Sequence, residues 1–222
     1  MVLGIYGAGA TAQELYEMMQ TSGMVWDETV FIDDTQPAGG FMGQKRLPFA
    51  CFCGQYDAGH ARVVIAVGEP SVRARMHDSV KEKHYRLATV IHPTSTIAGT
   101  AQIGEGCVLK MHTILSSNAR LQDNVFVQSH AVVGHDVNVG RDTIVSGGCF
   151  IAGHCTIGSG SFLGVHSCIR EGITLGDRVV VAMMAAVMKD VCDDLTVAGN
   201  PARVMKANSR HLVFAQQGGR NG

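Results

Sequence analysis

From Ile91 to Val187, every sixth residue is Ile, Leu or Val: Ile91, Ile97, Ile103, Leu109, Leu115, Leu121, Val127, Val133, Val139, Val145, Ile151, Ile157, Leu163, Ile169, Leu175, Val181 and Val187. A helix repeats near 3.6 residues and a flat strand at 2, so a strict period of six fits neither a long helix nor a long strand. It fits a chain of short strands separated by turns, each strand sending one large aliphatic residue to the same interior. Three hexads close a triangular coil, and successive coils stack at the inter-strand spacing of ~4.8 Å. The run from Ile91 to Val187 makes between five and six coils without an insertion.

The fifth hexad position is also restricted. It holds Ser95, Ala101, Cys107, Thr113, Ala119, Val125, Ala131, Val137, Thr143, Cys149, Cys155, Ser161, Ser167, Ile173, Val179, Ala185 and Val191, with Ile173 the one bulky exception. Position five and the next position one are two residues apart, so they share a strand face. A small residue therefore fits beside each large one. Cys107, Cys149 and Cys155 fall here and read as small buried apolar groups. The second position is often glycine (Gly104, Gly134, Gly140, Gly158, Gly164, Gly176), which we read as a corner residue with φ > 0.

Residues 1–88 have a different grammar. Val2–Tyr6 reads as a strand, then Gly7-Ala-Gly9-Ala-Thr-Ala12 leads into a helix over about 11–22. Val30–Ile32 and Arg62–Val67 read as further strands, and Pro70 stands near the start of a helix reaching His84. This alternation predicts a small, largely parallel sheet with helices, too short for a complete dinucleotide-binding fold. The expected organisation is a small Rossmann-like α/β domain over 1–88, a parallel β-helix over 89–206 and a loose tail over 207–222, giving a mainly β protein.

Composition narrows the function classes. The 222 residues are 46% hydrophobic with a formal net charge of −1, so the chain can bury a core and lacks the basic surface that nucleic acid or anionic membrane would require. No apolar run approaches the ~20 residues of a membrane span. The start has no basic n-region, and seven cysteines without an export signal argue against a disulfide framework. A cytoplasmic chain is expected. Cys51 and Cys53 form a CxC with no second pair at zinc-site spacing.

Two groups of residues suit chemistry. Gly7 and Gly9 between a strand and a helix allow a phosphate to approach the helix N-terminus, and Asp33 and Asp34 end the next strand, where such folds read a ribose or base. A tight turn explains the same glycines without a ligand. In the repeats, residues eighteen apart stack in adjacent coils. His112 and His130 therefore share a column with Gly148 and His166. His135 lies between Ser117 and Gly153, and Asp136 between Asn118 and His154. The Gly-His135-Asp136 group suits acyl transfer, because imidazole can take a proton from an attacking amine or hydroxyl while a carboxylate orients the ring. A corner histidine bonded locally is the plainer alternative. His130 and His135, with His112 one coil away, fall in unequal hexad positions, which argues against a shared zinc, and no metal is expected.

With these residues in view, the chain resembles the sialic acid O-acetyltransferases and nucleotide-sugar N-acetyltransferases of the hexapeptide-repeat acyltransferases. The matching segments are Ile5-Tyr-Gly7-Ala-Gly9, Phe31-Ile-Asp33-Asp34, Ile65-Ala-Val-Gly68, Ile91-His92-Pro93-Thr, Val133-Gly-His135-Asp136 and Ala198-Gly199-Asn200-Pro201-Ala202-Arg203, covering residues 1 to about 206. The resemblance implies a left-handed coil and a homotrimer with active sites between neighbouring helices. It implies acetyl-CoA as co-substrate and transfer to the amine of a nucleotide-linked sugar, with O-transfer to sialic acid or another sugar hydroxyl as the nearest variant. It makes His135 the general base and Asp136 its partner, and it puts the acyl carrier near Gly153 and His154. The acceptor would lie against Gly7, Gly9, Ala10, Thr11, Asp33, Asp34, Gly68 and Gln128. The chain departs from the pattern at Gln128, where relatives often have Asn, and at Ile144, where some have His. It departs again at Ala10-Thr11, where Gly-His is common, and at Met183 and Met184, where relatives often read Gly-x-Gly. A trimeric β-helix that only binds or scaffolds is the rival reading.

Overall fold

The computed structural model describes residues 1–214. The N-terminal part contains β1 (Val2–Tyr6), α1 (Ala10–Thr21), β2 (Glu28–Ile32), β3 (Gly39–Phe41), β4 (Gln44–Leu47), α2 (Phe49–Gln55), β5 (Ala61–Ile65), α3 (Pro70–Glu82) and β6 (Arg86–Leu87). They form a six-stranded sheet in the order β3-β4-β2-β1-β5-β6, parallel except for β3, which pairs antiparallel with β4. Pro70 occupies the first turn of α3, where its missing N–H leaves no intrahelical bond unmade. The hairpin β3–β4 and the short α2 were not expected from the sequence. Gln44-Lys45-Arg46 carries no apolar alternation, and its strand exists because it pairs with β2.

From Val90–Ile91 to Ala186–Val187, seventeen two-residue strands follow at six-residue intervals, each ending on a residue of the aliphatic column. Each strand up to Cys168–Ile169 pairs in parallel with the one eighteen residues on, as Val108 does with Phe126 and Ile114 with Val132, and in the last coil the offset falls to sixteen, Val180 pairing with Thr196. The result is a three-faced parallel β-helix. The column and the position-five residues fill its interior, with Leu109, Val127, Val145, Ile151 and Leu163 fully buried. Burial raises the thiols of Cys107 and Cys149 to about 12, so both are inert apolar fillers at neutral pH.

The glycine reading needs correction. The second-position glycines do not adopt positive φ; position four does, at His112, Asn118, Asn124, His130, Asp136, Asp142, Gly148, His154, Gly160 and His166 among others. The glycines serve clearance between coils. A Cβ on Gly164 would lie 2.5 Å from the Met183 amide nitrogen, and one on Gly140 2.5 Å from that of Ser159. Asn and Asp at position four follow from their tolerance of the left-handed region.

The three faces differ in the outward residue of each strand. On the first face these are Val90, Val108, Phe126, Ile144, Phe162 and Val180, and the first five pack in one cluster with Leu15, Met18, Met19 and Phe31 of the N-terminal part. On the third face they are Gln102, Arg120, Asn138, Thr156 and Thr174, all exposed. On the second face they are Thr96, Ile114, Val132, Phe150, Cys168 and Ala186, and here Ile114 and Phe150 remain 41% and 47% exposed.

A buried polar network joins the two parts. Arg73 of α3 is fully buried and donates to the Asn124 carbonyl at 2.8 Å, to Asn124 Oδ1 at 2.6 Å and to the Ile65 carbonyl at 2.8 Å. Asn124 Nδ2 donates to Asp142 Oδ1 at 2.8 Å, and His77 Nδ1 lies 2.9 Å from the same oxygen. Burial lowers the Arg73 pKa to about 10 against the opposing pull of Asp142, so the guanidinium stays charged at neutral pH. The first part of the tail also departs from the sequence expectation. Arg203–Ala207 pairs with Leu195–Ala198, Asn208 is buried, and the amides of Val213 and Phe214 donate to the Glu69 carboxylate. Residues 207–214 are thus held against the body; 215–222 lie outside the described residues.

Candidate active site

His135 and Asp136 occupy the turn between the second and third faces, directly after Val132–Val133. Asp136 sits at φ 57, and this turn swings its carboxylate back to His135 Nδ1, 2.9 Å away. Asn118, one coil below, donates to the other carboxylate oxygen at 3.0 Å. These bonds, His135 first and Asn118 second, hold the Asp136 carboxyl below the ordinary aspartate range. An ionised carboxylate only accepts, so the Nδ1 hydrogen of His135 points at Asp136, and in the neutral ring the lone pair is then on Nε2. That is the tautomer a general base requires.

The coil above completes the geometry. The His135 ring lies over Gly153, where a Cβ would stand 2.5 Å from both Cε1 and Nε2. Any other residue would displace the ring. Among the described residues no group accepts a hydrogen bond from the Gly153 amide, which leaves it beside Nε2 as a free donor. His154 stands edge-on to His135, with ring centroids 4.8 Å apart, and its Nδ1 is 3.9 Å from Asp136. Glu171 continues the column two coils above His135. A ligand atom from each of His135, His154 and Glu171 falls within 4.8 Å of the others. The sequence reading missed Glu171, although counting eighteen beyond Gly153 reaches it.

The other predicted residues lie elsewhere. Gln128 is on the turn between the first and second faces, where its Oε1 accepts from the Gly147 amide at 3.1 Å. That turn also carries the column of His112 and His130, whose rings stack at 5.0 Å. The glycine loop connects β1 to α1 on the first-face side. Gly7 takes φ 127 and a Cβ there would be 2.7 Å from the Ala66 carbonyl, so this position must be glycine for the strand to turn. Gly9 precedes α1 with open space around it, no side chain caps the helix, and Ala10 and Thr11 begin its first turn. Gly68 lies alongside, 3.8 Å from Thr11 Oγ1 by its would-be Cβ. Asp33 bonds the Thr35 amide at 2.9 Å and hydroxyl at 2.7 Å. Asp34 accepts from the Phe49 amide at 2.7 Å and from the Tyr6 hydroxyl, so much of its hydrogen-bonding capacity is spent on the fold. Burial first, and Asp34 second, push the Tyr6 hydroxyl pKa up.

In a triangular helix the edge between faces two and three is opposite face one. The glycine loop and His135 of one chain therefore stand on opposite sides of the prism. His135 is on a convex, open edge. A cavity of about 760 Å³ lies instead between α3 and the third face, lined by residues such as His77, Arg120 and Arg141.

Comparison with known proteins agrees with this architecture. A model of the hexapeptide repeat of succinyl-transferase matches residues 155–186. The acetyltransferase domain of PglB from Neisseria gonorrhoeae superposes with a TM-score of 0.85 at 27% identity, covering 92% of this chain and 99% of that one. PerB from Caulobacter crescentus, solved with CoA and GDP-perosamine, gives 0.84 at 22% identity, covering 93% and 98%. The GDP-perosamine N-acetyltransferase of Escherichia coli O157:H7 is 27% identical over 214 residues, 91% of this chain and 96% of that protein. The repeat and the ladder define a left-handed parallel β-helix of hexapeptide repeats preceded by a small α/β domain. Within that class the chain is similar to nucleotide-sugar N-acetyltransferases, at 27% identity over nine-tenths of its length.

Proposed function

We propose that the protein transfers an acetyl group from acetyl-CoA to the amine of a nucleotide-linked amino sugar. The observation that carries this reading is the His135 ring, set by Asp136 with Nε2 free and laid against the unpaired amide of Gly153. The similar PglB domain has been solved with acetyl coenzyme A, and the similar Escherichia coli protein is a GDP-perosamine N-acetyltransferase.

The acceptor nitrogen attacks the thioester carbonyl as His135 Nε2 takes its proton. Asp136 stabilises the imidazolium, and the Gly153 amide donates to the oxyanion. Collapse breaks the C–S bond, and the CoA thiolate leaves with the proton that His135 returns. An amide and a thiol result, with no net change in protons from the neutral amine.

An open edge on one chain needs a second surface to become a pocket. The apolar second face, with Ile114 and Phe150 uncovered, supports self-association into a homotrimer, because apolar area of this kind gains about 25 cal/mol per Å² on burial. The glycine loop on the far side of the prism then belongs to the site built around a neighbour's His135, with Gly7, Gly9, Ala10, Thr11, Asp33 and Gly68 against the nucleotide sugar. His154 and Gly153 flank the acyl carrier. No helix among the described residues is long and apolar enough to cross a membrane, and all seven cysteines are free thiols, which suits a cytoplasmic enzyme.

The test is thiol release from acetyl-CoA against UDP-, GDP- and dTDP-linked 4-amino sugars and free sialic acid. Turnover with one nucleotide-linked amine is the expected result. Turnover with sialic acid alone would convert the reading to O-transfer. Failure of the protein to bind any acyl-CoA would leave a β-helix that binds or scaffolds.

A further inference from the structure

We propose that His135, His154 and Glu171 form a reversible zinc site that blocks the general base. The three side chains come from different coils, yet their ligand atoms fall within 4.8 Å of one another. Stacked coils are ~4.8 Å apart, so His135 and Glu171 start from backbones two such steps apart. They converge because Gly153 leaves the intervening place in the column empty. His154 closes the group from the adjacent column, edge-on to His135.

The donor set is two imidazoles and one carboxylate, a set that holds zinc at about 2.0–2.2 Å with a fourth position open to water. Ligand atoms up to 4.8 Å apart stand wider than a bound ion's shell, so binding requires the three exposed side chains to turn inward. The outer partner is already in place. Asp136 bonds His135 Nδ1 at 2.9 Å, which is how a carboxylate orients a metal-binding imidazole and directs Nε2 to the ion. Asp136 and Glu171 also bring two negative charges to a divalent ion. The lone pair that would receive the acceptor's proton is the one the metal takes, so zinc and transfer exclude each other. That last step rests on the proposed acetyltransferase reading; the metal site itself does not.

Titrating zinc into the whole protein, with calorimetry or a chromophoric chelator as competitor, tests the site without any substrate. One zinc per chain is expected. Glu171→Gln and, separately, His154→Asn should each weaken it at least as much as the about 10–100-fold lost with an outer-shell partner. His130→Asn should leave the affinity unchanged. No saturable binding, or binding unaltered by Glu171→Gln, overturns the proposal. Binding lost in His130→Asn but kept in Glu171→Gln also overturns it, because it puts the ion on the His112–His130 column. In the transfer assay zinc should inhibit wild type, and Glu171→Gln should need at least roughly tenfold more zinc for the same inhibition. If no transfer is found with any acceptor, the binding titration still decides the site, so the two readings fail separately.

Discussion

Two edges of the β-helix carry histidines, and the neighbours of those histidines differ. On the edge between faces one and two, His112, His130 and His166 occupy position four, the left-handed turn residue, and stack ring upon ring or over Gly148. On the edge between faces two and three, His135 occupies position three, with an acid at position four and a glycine in the next coil. The repeat offers each edge the same backbone. What separates a stack of turn residues from a candidate general base is one register step and two neighbours. Periodicity thus supplies the places, and side-chain neighbours supply the chemistry.

The sharpest way to break this comparison is to remove one histidine from each edge. His135→Ala should lower kcat by about 10²–10⁴, while His130→Ala should leave it within a few-fold. Equal losses in both variants would erase the distinction. Next in size is the inter-domain network. Arg73→Ala leaves Asn124 and Asp142 without their buried cation, and denaturant unfolding should show a loss of about 3–5 kcal/mol. An unaltered unfolding midpoint would show that the network does not hold the two parts together.

A subtler change tests whether Gly153 is needed for the base. Gly153→Ala inserts a Cβ where the His135 ring now lies, and a displaced base should cost about 10²-fold in kcat with the fold intact by circular dichroism. The smallest effect concerns pH. Asp136 is held below the ordinary aspartate range, so its grip on His135 persists to lower pH than a free aspartate would allow and is lost as pH falls through its own pKa. Asn118→Ala removes the second cause of that shift. The acid limb of kcat should move upward in pH. A limb that does not move would mean that His135 alone holds the carboxylate.

Much of the repeat domain was legible. The aliphatic column gave the strands, their inward residues and the stacking partners of His135, because a closed coil of fixed length turns sequence distance into spatial neighbourhood. The glycines were misassigned for a local reason. Positive φ at this corner falls on position four, and the pattern Asn118, Asn124, Asp136, Asp142 would have revealed it. Glu171 was reachable by counting one more coil. The apolar second face was also readable, by taking every third outward residue, but its meaning depends on what covers it.

The sequence by itself determined the coil length, the interior and the columns, since each follows from a period of six and strand alternation. Only the tertiary structure decided which face meets the α/β part, that Arg73 reaches Asn124 across 51 positions, and that residues 207–214 fold back onto Glu69. It alone put the glycine loop and His135 on opposite sides of one chain. These contacts join segments with no common period, so their geometry comes from packing, which no local pattern encodes.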